Sequence, residues 1–177
     1  MISSEKIKDF IFISTLYFSV KVKNITSIEH DKNWYNNIKK ELVKRNINNC
    51  EYFLIEPDKF DDKNSNGINT FNKPGLKVYS KFIFDKYIES IDKYPDNYFD
   101  LVFIDGRARL GCIQHSIGKI KIGGYLVMDN SDESKYNLTK NLLKKYEKRD
   151  FFGIAPANPY LELSKVSYWK ASVWKIK

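Results

Sequence analysis

Short apolar runs alternate with amphipathic stretches along most of this chain, and the change of period marks the elements. Phe10-Ile11-Phe12-Ile13 has the continuous apolar character of a buried parallel strand. Ser14 follows at an N-cap position, with a short helix expected over Thr15 to Lys23. Ile25 to Ile28 is a second β-prone run, closed by Glu29-His30-Asp31. Asp31 is placed to cap a helix in which Trp34, Ile38 and Leu42 recur at every fourth residue. Tyr52 to Ile55 forms a third strand that Pro57 stops, and the polar stretch from Asp58 to Gly75 reads as a long loop.

The second half repeats the alternation. Phe84, Tyr87, Ile88 and Ile91 mark one face of a helix ending before Pro95. Leu101 to Ile104 is the clearest strand, closed by Asp105-Gly106. Ile113, Ile117 and Ile120 stripe the next helix, which Gly123-Gly124 is expected to end. Tyr125 to Met128 is a fifth strand, closed by Asp129-Asn130. A basic helix carries Leu138, Leu142 and Tyr146, and the charges from Lys140 to Arg149 read as its solvated side or, alternatively, as an RNA contact. Phe151 to Ala155 and Ser167 to Trp174 read as two closing strands, with Trp169, Ala171 and Val173 alternating against Tyr168, Lys170 and Ser172.

Strands alternating with helices of about 10–15 residues build βαβ units. The expectation is one α/β domain over residues 1–177, a doubly wound, mostly parallel sheet with a C-terminal antiparallel hairpin. The 177 residues allow one domain with a core, and 42% hydrophobic and 15% aromatic content argues against disorder. No apolar run is long enough to cross a bilayer, and the N-terminus lacks the pattern of a secretory signal. Cys50 and Cys112, far apart in sequence, read as reduced thiols of a cytoplasmic protein. The net charge of +8 permits a nucleic-acid partner, but the lysines are scattered and no motif requires one. Nothing in the pattern fixes an oligomeric state, which leaves room for a homodimer.

In a doubly wound sheet, ligands bind beyond the carboxyl ends of the strands. Those ends carry Glu29-His30-Asp31, Glu56, Asp105-Gly106 and Asp129-Asn130, whereas the strands carry few acids. A carboxylate ending the second strand can accept both hydroxyls of a ribose, which makes Glu29 a nucleoside ligand or, alternatively, a solvated strand-end acid. Asp105, Asp129 and Asn130 offer hard oxygen ligands suited to Mg²⁺ or, alternatively, turn the chain and cap the next helix. Arg107 and Arg109 would hold an anionic substrate group or form structural ion pairs.

The segments Thr26 to Tyr35, Phe99 to Arg109 and Gly123 to Asn130, in that order, resemble class I S-adenosylmethionine-dependent methyltransferases, above all small-molecule enzymes of that class. The resemblance runs from about Ser14 to the C-terminus. It implies S-adenosylmethionine as cofactor, with Ser14, Thr15, Glu29, His30, Asp105 and Gly106 as its ligands. It also implies a seven-stranded sheet and methyl transfer to a small molecule at oxygen, with Asp105 and Asp129 catalytic. The catechol-type members hold Mg²⁺ on residues matching Asp105, Asp129 and Asn130.

The family places a glycine-rich turn after its first strand, and here the first glycine is Gly67. The family's upstream helices have no counterpart either. The chain therefore reads as N-terminally truncated or as altered in cofactor binding. A catalytically inactive relative acting as a binding or partner module is the alternative reading, and an RNA methyltransferase is a third.

Overall fold

In a computed structural model, the described residues are 13–59, 82–131, 141–154 and 168–177. The chain divides into two compact units, residues 1–57 and 58–177, each described by itself.

In the first unit, α1 (Ile13–Ser19) precedes β1 (Ile25–Glu29), α2 (Lys32–Lys44) and β2 (Cys50–Leu54). Ile13 opens a helix instead of closing a strand, and Ser14 lies inside its first turn, not at the cap. The remainder of the run expected as a first strand, residues 10–12, falls outside the described residues. β1 and β2 pair in parallel from Ile25↔Cys50 to Glu29↔Leu54. Asp31 caps α2 as its position foretold: its backbone is extended and its carboxylate accepts from the Trp34 amide at 2.9 Å. Ile38 and Leu42 are buried with Leu16, and Ile47, Cys50 and Tyr52 pack against them. Trp34, expected on the same face, is half-buried and lies outside that cluster.

In the second unit, β3 (Asp58–Lys59) pairs antiparallel with β4 (Phe82–Ile83) across the segment read as a loop. The helix expected over Phe84 to Ile91 is the short α3 (Asp85–Glu89), with Phe84 and Ile88 buried. β5 (Phe99–Ile104) leads into α4 (Arg109–Ser116), a single 3₁₀ turn (Ile117–Lys119) and β6 (Ile120–Met128). Residues 141–143 are helical, and β7 (Glu147–Ile154) and β8 (Tyr168–Lys175) follow. The sheet order is β5-β6-β8-β7, with β5 and β6 parallel and β8 antiparallel to both neighbours. The closing hairpin is thus present at one edge of a parallel pair.

Three expectations fail here for identifiable reasons. Gly123-Gly124 does not end a helix but lies in a bulge of β6, where Phe99 pairs with Ile120 and Leu101 already pairs with Tyr125. Gly123 has φ +85°, and a Cβ on Gly124 would meet the Asp100 carbonyl and Ile120 at 2.8 Å, so both positions need glycine. The basic helix stops short of Arg149, because β7 begins at Glu147 and pairs with Lys175. The alternation in β8 also gives way: Ala171, Ser172 and Trp174 are all buried, as in a strand with neighbours on both edges and cover on both faces.

The core of this unit is Ile104, Ile113, Ile120, Leu126, Met128, Leu143, Trp174 and Ile176. It lies along the strands whose ends carry the acidic residues. No helix among the described residues is long and apolar enough to cross a membrane.

Candidate functional site

Each unit presents a strand-end rim. At the end of β1, the Glu29 side chain is only 16% exposed. One carboxylate oxygen, Oε1, accepts the backbone amides of His30 at 2.7 Å and Asp31 at 2.8 Å. The His30 Nδ1 lies 2.9 Å from the same oxygen. The turn after β1 therefore fixes the orientation of the carboxylate through Oε1. This is an acid held in place by the backbone, not a solvated one, and a fixed carboxylate fits a vicinal diol. Nearby, Thr15 Oγ1 is hydrogen-bonded to Ser27 Oγ at 2.8 Å, which ties the first turn of α1 to β1. Ser14 is half-buried in that turn. Behind the rim, burial and the Glu29 charge push the Tyr52 phenol far above its ordinary range, and Tyr35 stacks on its ring at 4.8 Å.

At the ends of β5 and β6 the sequence places Asp105, Gly106, Arg107, Arg109, Asp129 and Asn130, and the structure gathers most of them. The carboxyls of Asp105 and Asp129 hydrogen-bond to each other. Loss of water around Asp105, together with the Asp129 carboxyl, raises its pKa to about 7, against the opposing pull of Arg109 and Arg107. The Asp105 side chain remains 43% exposed and reachable by a ligand.

Gly106 is required by packing: a Cβ there would lie 2.2 Å from the Tyr87 hydroxyl. The next residues turn sharply, with Ala108 buried and left-handed at φ 48°. Burial lifts the Cys112 thiol to about 12, and burial with the Glu51 charge lifts Cys50 to about 11, so both are free but weakly reactive thiols.

Arg109 differs most from expectation. Its side chain is 8% exposed and its donors point into the protein. Nε donates to the Gly106 carbonyl at 3.0 Å, and Nη2 to the Asp105 carbonyl at 3.0 Å and the Asp105 carboxylate at 3.4 Å. Nη1 donates to the Asp129 carbonyl, and both terminal nitrogens lie within 3.5 Å of the Asn130 amide oxygen. A guanidinium so enclosed is not a clamp for an anionic substrate group. Arg107 is half-buried beside Asp105.

The same contacts bear on the expected Mg²⁺ set. The Asn130 oxygen is turned to a guanidinium, and the Asp105 carboxyl is engaged by Arg109 and by the Asp129 carboxyl. Among the described residues, no three His, Cys, Asp or Glu side chains converge to hold a metal ion. These residues do not form a fitting divalent-cation cradle.

Sequence reasoning missed two features of this rim. Tyr87 was legible only as part of a helix face, and its hydroxyl against Gly106 had no local signal. Ser131, directly after Asn130, is hydrogen-bonded to the fully buried Ser172 at 2.7 Å, and Ser172 donates to Asp150 at 2.5 Å. That chain links the end of β6 to the closing hairpin.

No protein-family model matches the sequence, nor does any curated protein. Solved structures do match in fold. An rRNA methylase from Streptococcus thermophilus aligns over 92% of this chain and 80% of its own, with 11% identity and a TM-score of 0.52. A Streptococcus mutans protein assigned as a methyltransferase, in complex with SAH (S-adenosylhomocysteine), aligns over 91% and 81%, with 13% identity and a TM-score of 0.53. A precorrin 8W decarboxylase of Methanobacterium thermoautotrophicum aligns over 91% and 74%, with 13% identity and a TM-score of 0.55. The chain shares the α/β fold of these structures, two of which are described as a methylase and a methyltransferase.

Proposed function

We propose that this protein binds S-adenosylmethionine and transfers its methyl group to a small-molecule acceptor, at oxygen. The observation that carries the reading is the carboxylate of Glu29, held by two backbone amides at the end of β1 within a methyltransferase fold. In this reading the two units belong to one domain. Glu29 binds the cofactor ribose, His30 lines the adjoining turn, and Ser14 and Thr15 stand at the start of α1. Asp105 and Gly106 face the methionine part of the cofactor or the acceptor.

A sulfonium supplies an activated methyl group, so alignment of the acceptor provides most of the acceleration. What remains for the protein is a proton. Asp105, its pKa raised to about 7 by loss of water and the neighbouring Asp129 carboxyl, suits removal of the acceptor's proton as transfer proceeds. Arg107, beside Asp105, is the residue left to meet an anionic acceptor group.

A thermal-shift titration with SAH tests the reading. A ligand at 100 times its dissociation constant stabilises the folded state by about 2.7 kcal/mol, and Glu29→Ala is expected to abolish the shift. No shift at millimolar SAH rejects cofactor binding. That outcome would favour the inactive-module reading, which the lack of any glycine before Gly67 already supports. The charge of +8 and the likeness to an rRNA methylase favour RNA as a rival acceptor. Filter binding of RNA over a range of salt separates the two, since an RNA acceptor gives affinity that falls steeply with salt.

A further inference from the structure

We propose that Arg109 is a positioning residue: its guanidinium latches the turn after β5 to the turn after β6 and thereby holds the Asp105–Asp129 carboxyl pair in register. The claim rests on the proposed cofactor and proton roles of that rim, but its geometry stands by itself. One side chain donates to the backbone carbonyls of Asp105 and Gly106 on one turn, and to the Asp129 carbonyl and the Asn130 amide oxygen on the other.

Two physical costs argue that the placement is functional in the fold, not incidental. Arg109 is the first residue of α4, where the helix dipole disfavours a cation. It is also 8% exposed, and a charge so enclosed is tolerated only when hydrogen-bonded on all sides. The strand-end carbonyls and the Asp105 carboxylate meet both costs. A planar fork reaches two turns at once, whereas an ammonium at that position serves only one. The turn after β5 is also backbone-strained, with Ala108 at φ 48°, so without a tie it has a more relaxed alternative.

The experiment uses the full chain and the variants Arg109→Met and Arg109→Lys, with SAH affinity by calorimetry, thermal melts, and hydrogen exchange by NMR. Arg109→Met is expected to melt cooperatively and to bind SAH about tenfold more weakly, and Arg109→Lys about threefold more weakly. Exchange at the Asp129 and Ser131 amides, which bond to Ile104 and Lys170, should accelerate about tenfold in Arg109→Lys while that of Leu126 stays unchanged. Should Arg109→Met fail to fold, Arg109→Lys decides. Wild-type SAH affinity and wild-type exchange in a folded Arg109→Lys overturn the latch. If the wild-type protein itself does not bind SAH, the cofactor reading falls, and the exchange data alone judge the latch: local acceleration at Asp129 and Ser131 upholds it, and none overturns it.

Discussion

The chemistry of single residues in this protein is set by what touches them. Glu29 and Asp105 are both strand-end acids, yet one is fixed by backbone amides and the other faces a second carboxyl. The difference has a measurable sign. Asp105 binds its proton more tightly in the folded state than in the unfolded one, because its pKa rises from 3.8 to about 7. Its contribution to stability is therefore fullest below the unfolded value and declines as pH rises through about 7. Asp105→Asn removes that titration and leaves an oxygen for Arg109. The variant is expected to gain in melting temperature relative to wild type between about pH 5 and about pH 8, read by thermal melts across that range. If the proposed transfer is present, the same substitution also removes the rise of rate with pH.

The sequence left a structural ion pair as one reading of Arg109, and its contact with Asp105 is of that kind. It did not reveal that Arg109 would also reach Asp129 and Asn130, because those residues arrive from a different strand. Likewise Gly106 was legible as a turn residue, but the Tyr87 hydroxyl that excludes any Cβ was not.

At the scale of elements, caps and hairpins decide what the periodic pattern leaves open. The Asp31 cap satisfies one of the free amides of α2, and Asp31→Ala is expected to cost about 1 kcal/mol, read by urea denaturation. The closing hairpin is held at its centre by Asp150. Water loss works against ionisation there, but hydrogen bonds from Ser172, Lys148 and Lys170 outweigh it and bring the pKa down to about 2. Lys148 lies 2.9 Å and Lys170 3.1 Å from its oxygens. A depressed carboxylate stabilises the fold above its unfolded value and loses that contribution as pH falls through about 2. Asp150→Ala should therefore lower the urea-unfolding free energy by roughly 1–3 kcal/mol at neutral pH, with the deficit shrinking as pH approaches 2. The loss would also loosen Ser131, which the buried Ser172 connects to Asp150.

The same scale shows why some elements were misread. Gly123-Gly124 carries the signature of a helix end, and local chemistry cannot distinguish that from a bulge whose cause is a neighbouring strand. Glu147 to Arg149 reads as a solvated helix face in one dimension, yet its backbone is taken up by β8. Pairing with a distant segment overrode local preference in each case.

For the whole molecule, the larger of the two buried clusters in the second unit lies along β5, β6 and β8, beside a smaller one of Phe84, Ile88 and Ala108. Leu126 is fully buried among Ile104, Ile113 and Trp174, directly behind the strand ends that carry Asp105 and Asp129. Leu126→Ala is expected to cost about 2–5 kcal/mol in chemical denaturation, as large-to-small changes do at sites that cannot collapse. The fold likeness spans about nine-tenths of the chain at 11–13% identity. Architecture of this kind survives extensive substitution when apolar volume and pattern are kept, whereas a site depends on particular atoms.

That contrast divides what could be read early from what could not. The amino-acid order alone established the alternation of strands and helices, the closing hairpin, the acids at the strand ends and the cap at Asp31, because each follows from periodicity or from chemistry within one turn of chain. Only tertiary structure decided that the Asp105 carboxyl meets that of Asp129, that Arg109 is enclosed between two turns instead of facing a substrate, and that two glycines bend a strand. Those outcomes depend on which distant backbone carbonyls and carboxyls come within about 3 Å of each other, and a hydrogen bond fades within a fraction of an ångström beyond that.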